Sequence, residues 1–119
     1  PETISKEPAG PAVRQGDDRF LKIARWVLNA LIAAEEMGIT AANVAAMADS
    51  KNPEIRRLLG RDGDYGRYLG LDPRWAARAI RTAGNYGEMF ARNLGALGLA
   101  RGVNRPWRKG GILYAPPFR

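Results

Sequence analysis

The chain has 119 residues, of which 45% are hydrophobic and 26% are charged, and these values predict one small domain with a single hydrophobic core. Nineteen Lys and Arg against twelve Asp and Glu give a net charge of +7. Because His and Cys are both absent, the sequence excludes disulfides, thiolate nucleophiles, His general bases and zinc sites with nitrogen or sulfur ligands.

The positive charge is concentrated in the second half of the chain. Residues 1–50 hold five basic and seven acidic side chains, whereas residues 51–119 hold fourteen basic and five acidic ones. Such asymmetry is typical of proteins that bind nucleic acid or an anionic membrane surface.

The carboxy-terminal part of the chain combines basic and aromatic residues. Trp107, Tyr114 and Phe118 are interleaved with its basic side chains, as in proteins that bind single-stranded nucleic acid. The basic residues lie among turn residues rather than on one helix face, so we prefer a solvated surface whose aromatic side chains pack onto the helices. A basic interaction module remains the alternative.

We expect a mainly α fold in a single domain over residues 1–119. Pro and Gly punctuate residues 1–16, which are expected to be extended and to contain one or two short β segments, at 3–5 and 12–14. Residues 17–94 are predicted to form the helical core. Residues 95–119 form a tail rich in Gly, Pro and basic residues.

The first predicted helix covers 18–37. Acidic residues at its start, apolar residues spaced by three or four, and Gly38 after its end all favour this helix. Its apolar side chains spread beyond one stripe, because Trp26 lies on the side away from Phe20, Val27 and Leu31. A second copy of the chain is therefore expected to cover Trp26 in a homo-oligomer. Alternatively, the tail folds back over this helix through Trp107, Tyr114 and Phe118.

Three further helices are predicted, at 41–49, 53–59 and 73–94. Thr40 and Asn52 are expected to cap the first two, and Pro53 stands at the first position of its helix. Gly84 and Gly87 lie inside the last one, which suggests close packing against another backbone. A dinucleotide-binding loop is excluded there, because no strand precedes these glycines.

No arrangement of residues supports catalysis or a metal site. With no His beside Ser5 or Ser50, no nucleophilic triad can form. Two pairs of neighbouring carboxylates could in principle act as a general acid and base. Asp17 and Asp18 are explained instead by the start of a helix, and Glu35 and Glu36 by solvation near a helix end. The Asp62-Gly63-Asp64 step lacks the twelve-residue pattern of a calcium loop and predicts a plain turn. We therefore predict no enzyme activity, no catalytic residue, no metal and no cofactor.

No membrane span is expected, and a signal peptide is expected to be either absent or already removed. The richest apolar window, 26–34, has nine residues, far fewer than the roughly 20 that a spanning helix needs. The first eight residues contain neither a basic segment nor an apolar run.

Four segments together resemble one known family: SKEPAGPAVRQGDD at 5–18, NPEIRRLLG at 52–60, GNYGEMFARN at 84–93 and KGGILYAPPFR at 109–119. They resemble the carboxy-terminal part of the periplasmic general (polar) L-amino-acid-binding proteins of ABC importers, which are solute-binding proteins of family 3. The likeness runs in order over nearly the whole chain. The loop at 95–100 is shorter by a few residues than is usual in that family.

The resemblance implies the carboxy-terminal part of a type II periplasmic binding protein, with a strand around 12–14 followed by packed helices. It implies a truncated amino-acid-binding protein of an ABC transporter, located in the periplasm, with an ABC permease and an L-amino acid as partners of the intact architecture. The groups that bind the ligand in that family belong to an upstream portion. No ligand-binding residue is therefore assigned, and Arg14, beside the expected strand, is the one candidate to watch.

Overall fold

The computed structural model describes residues 10–118 of the chain. This part contains five α-helices and three short 3₁₀ helices. The α-helices are α1 (Asp18–Glu36), α2 (Val44–Met47), α3 (Pro53–Leu58), α4 (Trp75–Ala83) and α5 (Tyr86–Asn93). The 3₁₀ helices are Gly66–Leu69, Gly95–Leu97 and Trp107–Lys109. The prediction of a mainly α fold is confirmed.

No β-strand forms within residues 10–118, where the only β pairing is an isolated bridge between Pro106 and Leu113. The strand expected at 12–14 is an irregular segment instead. A strand needs a neighbouring strand to bond to its backbone groups, and the described part of the chain offers none. The segment expected at 3–5 lies outside the described residues.

Helix α1 starts and ends close to where the sequence predicts. The backbone N–H of Phe20 donates to the Asp17 carboxylate at 3.0 Å, so Asp17 caps the helix, and Asp18 adds negative charge to its first turn. The buried part of α1 is its carboxy-terminal half, residues 30–34. Ile39, Leu59 and Ile80 are almost completely buried in the same core.

The single helix predicted at 73–94 is wrong, because two helices occupy this segment. Helix α4 ends at Ala83, and Gly84 has φ +80°, a conformation that side chains disfavour and glycine tolerates. Asn85 then starts α5 with a capping box. Its side chain accepts from the Glu88 backbone N–H at 2.9 Å, while the Glu88 carboxylate accepts from the Asn85 backbone N–H at 2.8 Å.

Helix α2 is shorter than the predicted helix at 41–49. Thr40 and Asn43 cross-cap each other: the Asn43 backbone N–H donates to the Thr40 hydroxyl at 3.2 Å, and the Thr40 backbone N–H donates to the Asn43 side chain at 2.7 Å. This reciprocal pair holds residues 40–43 in a turn and delays the helix until Val44. Helix α3, by contrast, is confirmed, with Asn52 as its cap and Pro53 at its first position.

Helix α1 is the central element, packed against α4, α5 and the 3₁₀ helix at Gly66–Leu69, while α2 packs on α4. The tail returns to this bundle through Phe118. The Phe118 ring lies 5.2 Å from that of Trp26 and 6.3 Å from that of Trp75, measured between centroids. The alternative in which the tail covers Trp26 is therefore confirmed for Phe118. Trp107 and Tyr114 instead pack on each other and remain 50% and 59% exposed.

Among residues 10–118, no helix combines the length and the apolar character needed to cross a lipid bilayer.

Candidate functional site

An apolar, largely aromatic cavity of about 250 Å³ lies where α1, the 3₁₀ helix at Gly66–Leu69, α4 and the tail meet. Its lining residues are Trp26, Tyr65, Tyr68, Leu69, Trp75 and Phe118. The Tyr68 hydroxyl accepts a hydrogen bond from Arg67 at 3.0 Å, and this bond raises the pKa of Arg67. The lining itself carries no charged side chain. The cavity can therefore accept an apolar group, but it offers no partner for a carboxylate or an ammonium.

Glu35 and Arg101 form a partly buried ion pair between α1 and the tail. The Glu35 side chain is 9% exposed, and both Arg101 terminal nitrogens donate to its carboxylate, one of them at 3.0 Å. The guanidinium also lies over Phe90 and Tyr86, at 5.4 and 5.8 Å from the ring centroids. The expectation that Glu35 is solvated is therefore wrong, because Arg101 compensates the cost of burying its charge.

Gly87 lies directly against this ion pair. A Cβ at position 87 would stand 3.0 Å from the Glu35 carboxyl carbon and 3.1 Å from an Arg101 nitrogen. Gly87 is thus closely packed as predicted, but its neighbours are two side chains rather than another backbone.

Asn85 connects α5 to the turn after α1. Its side-chain amide donates to the Ile39 carbonyl at 2.8 Å, and Asn85 is itself buried. The Glu88 carboxylate that caps α5 also accepts from the Ala41 backbone N–H at 3.1 Å. The Asn-x-x-Glu spacing is the sequence signal that could have located this helix start.

Ion pairs occupy five of the arginines in the second half of the chain. The pairs are Arg56–Asp62, Arg61–Asp49, Arg78–Asp72, Arg101–Glu35 and Arg108–Glu36. The hydrogen bonds from Arg56 lower the pKa of Asp62, so this carboxylate of the predicted turn is held by a guanidinium.

A second cavity, of about 550 Å³, collects arginines on one side of the molecule. Arg61, Arg74, Arg78 and Arg81 line it, with small apolar side chains such as Ala48 and Ala77 between them. Arg74 and Arg81 have no carboxylate partner within residues 10–118. Asp72 also lines this cavity and pairs with Arg78, so an anion there would be attracted mainly by Arg74 and Arg81.

Arg14 does not join either cavity. Arg14 is exposed, and its backbone carbonyl accepts a hydrogen bond from the Asp17 backbone N–H at 3.2 Å, just before α1. Nothing in the described structure brings it next to another charged group of a ligand site.

Comparisons with known proteins identify homologues over the full length of the chain. The glutamate/glutamine/aspartate/asparagine-binding protein BztA of Rhodobacter capsulatus is 58% identical over 123 residues, which cover 100% of this chain and 36% of BztA. The general L-amino acid-binding periplasmic protein AapJ of Rhizobium johnstonii is 57% identical, and the putative amino-acid ABC transporter-binding protein YhdW of Escherichia coli K12 is 51% identical, with the same coverage. No protein-family model matches the chain.

The chain is homologous to one segment of the periplasmic amino-acid-binding proteins of ABC transporters. The resemblance inferred from its four motifs is thereby confirmed, and the chain spans 36% of the length of these relatives. They are named as binding proteins rather than as enzymes.

A solved structure shares the fold. An ABC transporter/periplasmic binding protein from Brucella ovis with glutathione bound superposes with a TM-score of 0.92 at 53% identity, covering 100% of this chain and 39% of that one. The helices described above therefore form one portion of a periplasmic binding protein fold. The shortened loop at 95–100 stays a prediction.

Proposed function

We propose that the chain is the carboxy-terminal third of a periplasmic amino-acid-binding protein of an ABC importer. The observation that supports this proposal is the match of the whole chain to 36% of relatives that are 51–58% identical. Those relatives are named for binding L-amino acids, several of them polar, so a polar L-amino acid is the proposed ligand of the longer protein. An ABC permease is its proposed partner, and the periplasm its proposed location.

We further propose that this third does not bind amino acids with micromolar affinity by itself. A tight site needs a concave pocket with a few convergent polar groups. The aromatic cavity has no charged lining residue, and Glu35 and Arg101 are already paired with each other. Its contribution is then to support the portion of the protein that holds the ligand.

Isothermal titration calorimetry of the 119-residue chain with glutamate, glutamine, aspartate and asparagine tests this proposal, with BztA as the positive control. We expect saturable heat from BztA and none from the chain at micromolar ligand. Saturable micromolar binding by the chain would contradict the proposal, and its loss in Arg14→Ala would then locate the site.

A basic interaction module is the second candidate, favoured by the arginines at 61, 74, 78 and 81 around one cavity. Titration with a labelled oligonucleotide at two salt concentrations tests it. If this candidate is right, binding weakens steeply with salt, and Arg74→Ala and Arg81→Ala each reduce the salt slope by about one. Absence of binding at low salt would eliminate nucleic acid as the partner.

A further inference from the structure

The aromatic cavity continues into a second, basic depression on the surface of the molecule. Tyr68 and Leu69 line both of them, and the remaining lining residues of the basic depression are Asp18, Arg19, Lys22 and Gly70. The basic depression has a volume of about 390 Å³. An apolar space and a charged space therefore share one wall, which the 3₁₀ helix at Gly66–Leu69 provides.

The lining of the aromatic cavity favours an aromatic ligand group. Five of its six lining residues have aromatic side chains, the exception being Leu69. Trp75 is 8% exposed, whereas Tyr68 is 72% exposed and lies on the solvent side. An apolar cavity of roughly 150 Å³ accepts a benzene ring, so a cavity of about 250 Å³ suits one or two fused rings. Aromatic rings also attract one another more strongly than their buried area alone implies.

Two basic side chains of α1 lie beside this cavity. Lys22 precedes Trp26 by four residues, which places both on one face of α1, about 6 Å apart along its axis. Arg19 reaches across to the end of the 3₁₀ helix, because a Cβ at Gly70 would stand 2.7 Å from one of its guanidinium nitrogens. Neither basic side chain forms an ion pair within residues 10–118. Both charges are therefore available to an anionic group at the edge of the cavity.

Two nearby acidic residues compensate the positive charge of this region only in part. Asp18 precedes Trp26 by eight residues, about 12 Å along the axis of α1, so it lies farther along the helix from the cavity than Lys22 does. Asp64 is exposed, and its carboxylate accepts from the Arg67 backbone N–H at 3.3 Å, so it offsets the charge of Arg67. The edge of the aromatic cavity is therefore positively charged, which favours an anion over a cation.

We propose that the aromatic cavity and the basic depression together bind an aromatic organic anion, with one or two fused rings and a single carboxylate. The rings lie beside Trp26 and Trp75, and the carboxylate lies between Arg19 and Lys22. The ligand carries no ammonium, because no acidic side chain lines the aromatic cavity. This proposal does not depend on the proposed function, and calorimetry with polar amino acids leaves it untouched.

A ¹H–¹⁵N NMR titration with 2-naphthoate tests the proposal, with the indole N–H signals of the three Trp residues as reporters. Trp26 and Trp75 line the aromatic cavity, whereas Trp107 does not line it and serves as an internal reference. We expect the Trp26 and Trp75 signals to shift and saturate with a Kd of about 0.1 mM, because a small ligand in a half-open site buries limited surface. The Trp107 signal should stay in place.

Three analogues separate the contribution of the charge from that of the rings. The uncharged 2-naphthylmethanol should bind about tenfold more weakly than 2-naphthoate, and the cationic 2-naphthylmethylamine more weakly still. Acetate, which has no ring, should cause no shift at the same concentrations. Absence of a shift of the Trp26 and Trp75 signals, or equal affinity for the three naphthyl compounds, would overturn the proposal.

Variants then identify the groups that bind the ligand. Arg19→Gln combined with Lys22→Gln should weaken naphthoate binding about tenfold and leave naphthylmethanol binding unchanged. Lys51→Gln combined with Arg81→Gln is the matched control, because it removes the same charge from exposed residues that line neither space. This control should weaken naphthoate binding less than about twofold. Tyr68→Ala, at an exposed position, should weaken the binding of both ligands about tenfold.

The analogue series on the unmodified chain keeps the test decisive if a variant does not fold. An unchanged Kd for naphthoate in the folded double variant at Arg19 and Lys22, or in Tyr68→Ala, would overturn the proposal. A Kd that increases with the concentration of the chain would show that a second copy of the chain fills the cavity, and it would overturn the proposal as well.

Discussion

Glu35 and Arg101 show how one long-range contact fixes the path of the tail. The pair joins residues 66 positions apart in the chain, and the Glu35 side chain is 9% exposed. Removing Arg101 leaves the nearly buried Glu35 carboxylate without its counter-charge, which is more costly than losing an exposed pair. The stability of residues 98–105 against α1 and α5 should therefore depend on this contact.

We predict that Arg101→Ala lowers the free energy of unfolding by about 2 kcal/mol, because the nearly buried Glu35 carboxylate loses its charged hydrogen-bond donors. Urea denaturation followed by circular dichroism measures this change. Arg81→Ala is the matched control, because Arg81 is exposed and has no carboxylate partner in the described structure, and it should change stability by less than about 0.5 kcal/mol. Equal effects of the two substitutions would show that the Glu35 ion pair contributes nothing.

Residues that act within one turn could be predicted from the sequence, whereas those that act across the fold could not. Asp17 and Asn52 cap the helices that follow them, because a cap depends only on the next three residues. The partner of Glu35 depends on how the tail returns. Local spacing carries no information on that path, so the sequence predicted a solvated carboxylate.

The break between α4 and α5 is the main difference between predicted and observed elements. Apolar residues keep helical spacing across 75–94, and this periodicity predicts one continuous helix. Gly84 and the Asn85–Glu88 capping box outweigh it, because they satisfy the first backbone N–H groups of a new helix. The Asn85 side chain additionally donates to the Ile39 carbonyl, and in a continuous helix Asn85 would have a different backbone conformation.

At this helix start, Asn85→Ala should lower stability by about 2 kcal/mol, since it removes both a helix cap and a buried hydrogen bond to the Ile39 carbonyl. Thermal unfolding measured at constant pH reports the change. Asn93→Ala provides the control, because the Asn93 side chain is exposed and, among the described residues, bonds only to Met89 of its own helix. A loss no larger than that of the control would mean that the capping box is not what separates the two helices.

At the scale of the whole molecule, most of the exposed large aliphatic side chains lie in the tail, although Phe20 of α1 is also 53% exposed. Phe118 partly covers Trp26, but Leu97, Leu99, Val103 and Ile112 are each more than half exposed. Exposed apolar surface forgoes about 25 cal/mol per Å², so a second copy of the chain has a reason to cover these residues. The homo-oligomer predicted from the sequence, with Trp26 in its interface, stays a prediction, and we extend the expected interface to these exposed tail residues.

Light scattering during size-exclusion chromatography tests this prediction. We expect a closed oligomer, with a mass of about twice 13.0 kDa for a dimer, at micromolar concentration. A double variant, Leu99→Ser with Ile112→Ser, should shift it to the monomer without loss of helical content. A monomer at all concentrations in the unmodified chain would contradict the prediction.

The helical class and the relationship to amino-acid-binding proteins could both be predicted from the sequence, because caps, periodicity and the four motifs each depend on a short segment of the chain. The cavities could not be predicted from the sequence. Each one is lined by residues from three or more segments, as with Trp26, Tyr68 and Phe118. Their convergence depends on how α1, the 3₁₀ helix at Gly66–Leu69 and the tail pack, and short-range patterns do not specify this packing.

The most direct test of the proposed function replaces the matched 123-residue segment of BztA with this chain and measures glutamate binding by calorimetry. If the chain is an equivalent portion of an amino-acid-binding protein, the chimera binds glutamate with a Kd within about tenfold of that of BztA, a difference of less than about 1.4 kcal/mol. A chimera that folds with the helical content and melting transition of BztA but does not bind glutamate would contradict it.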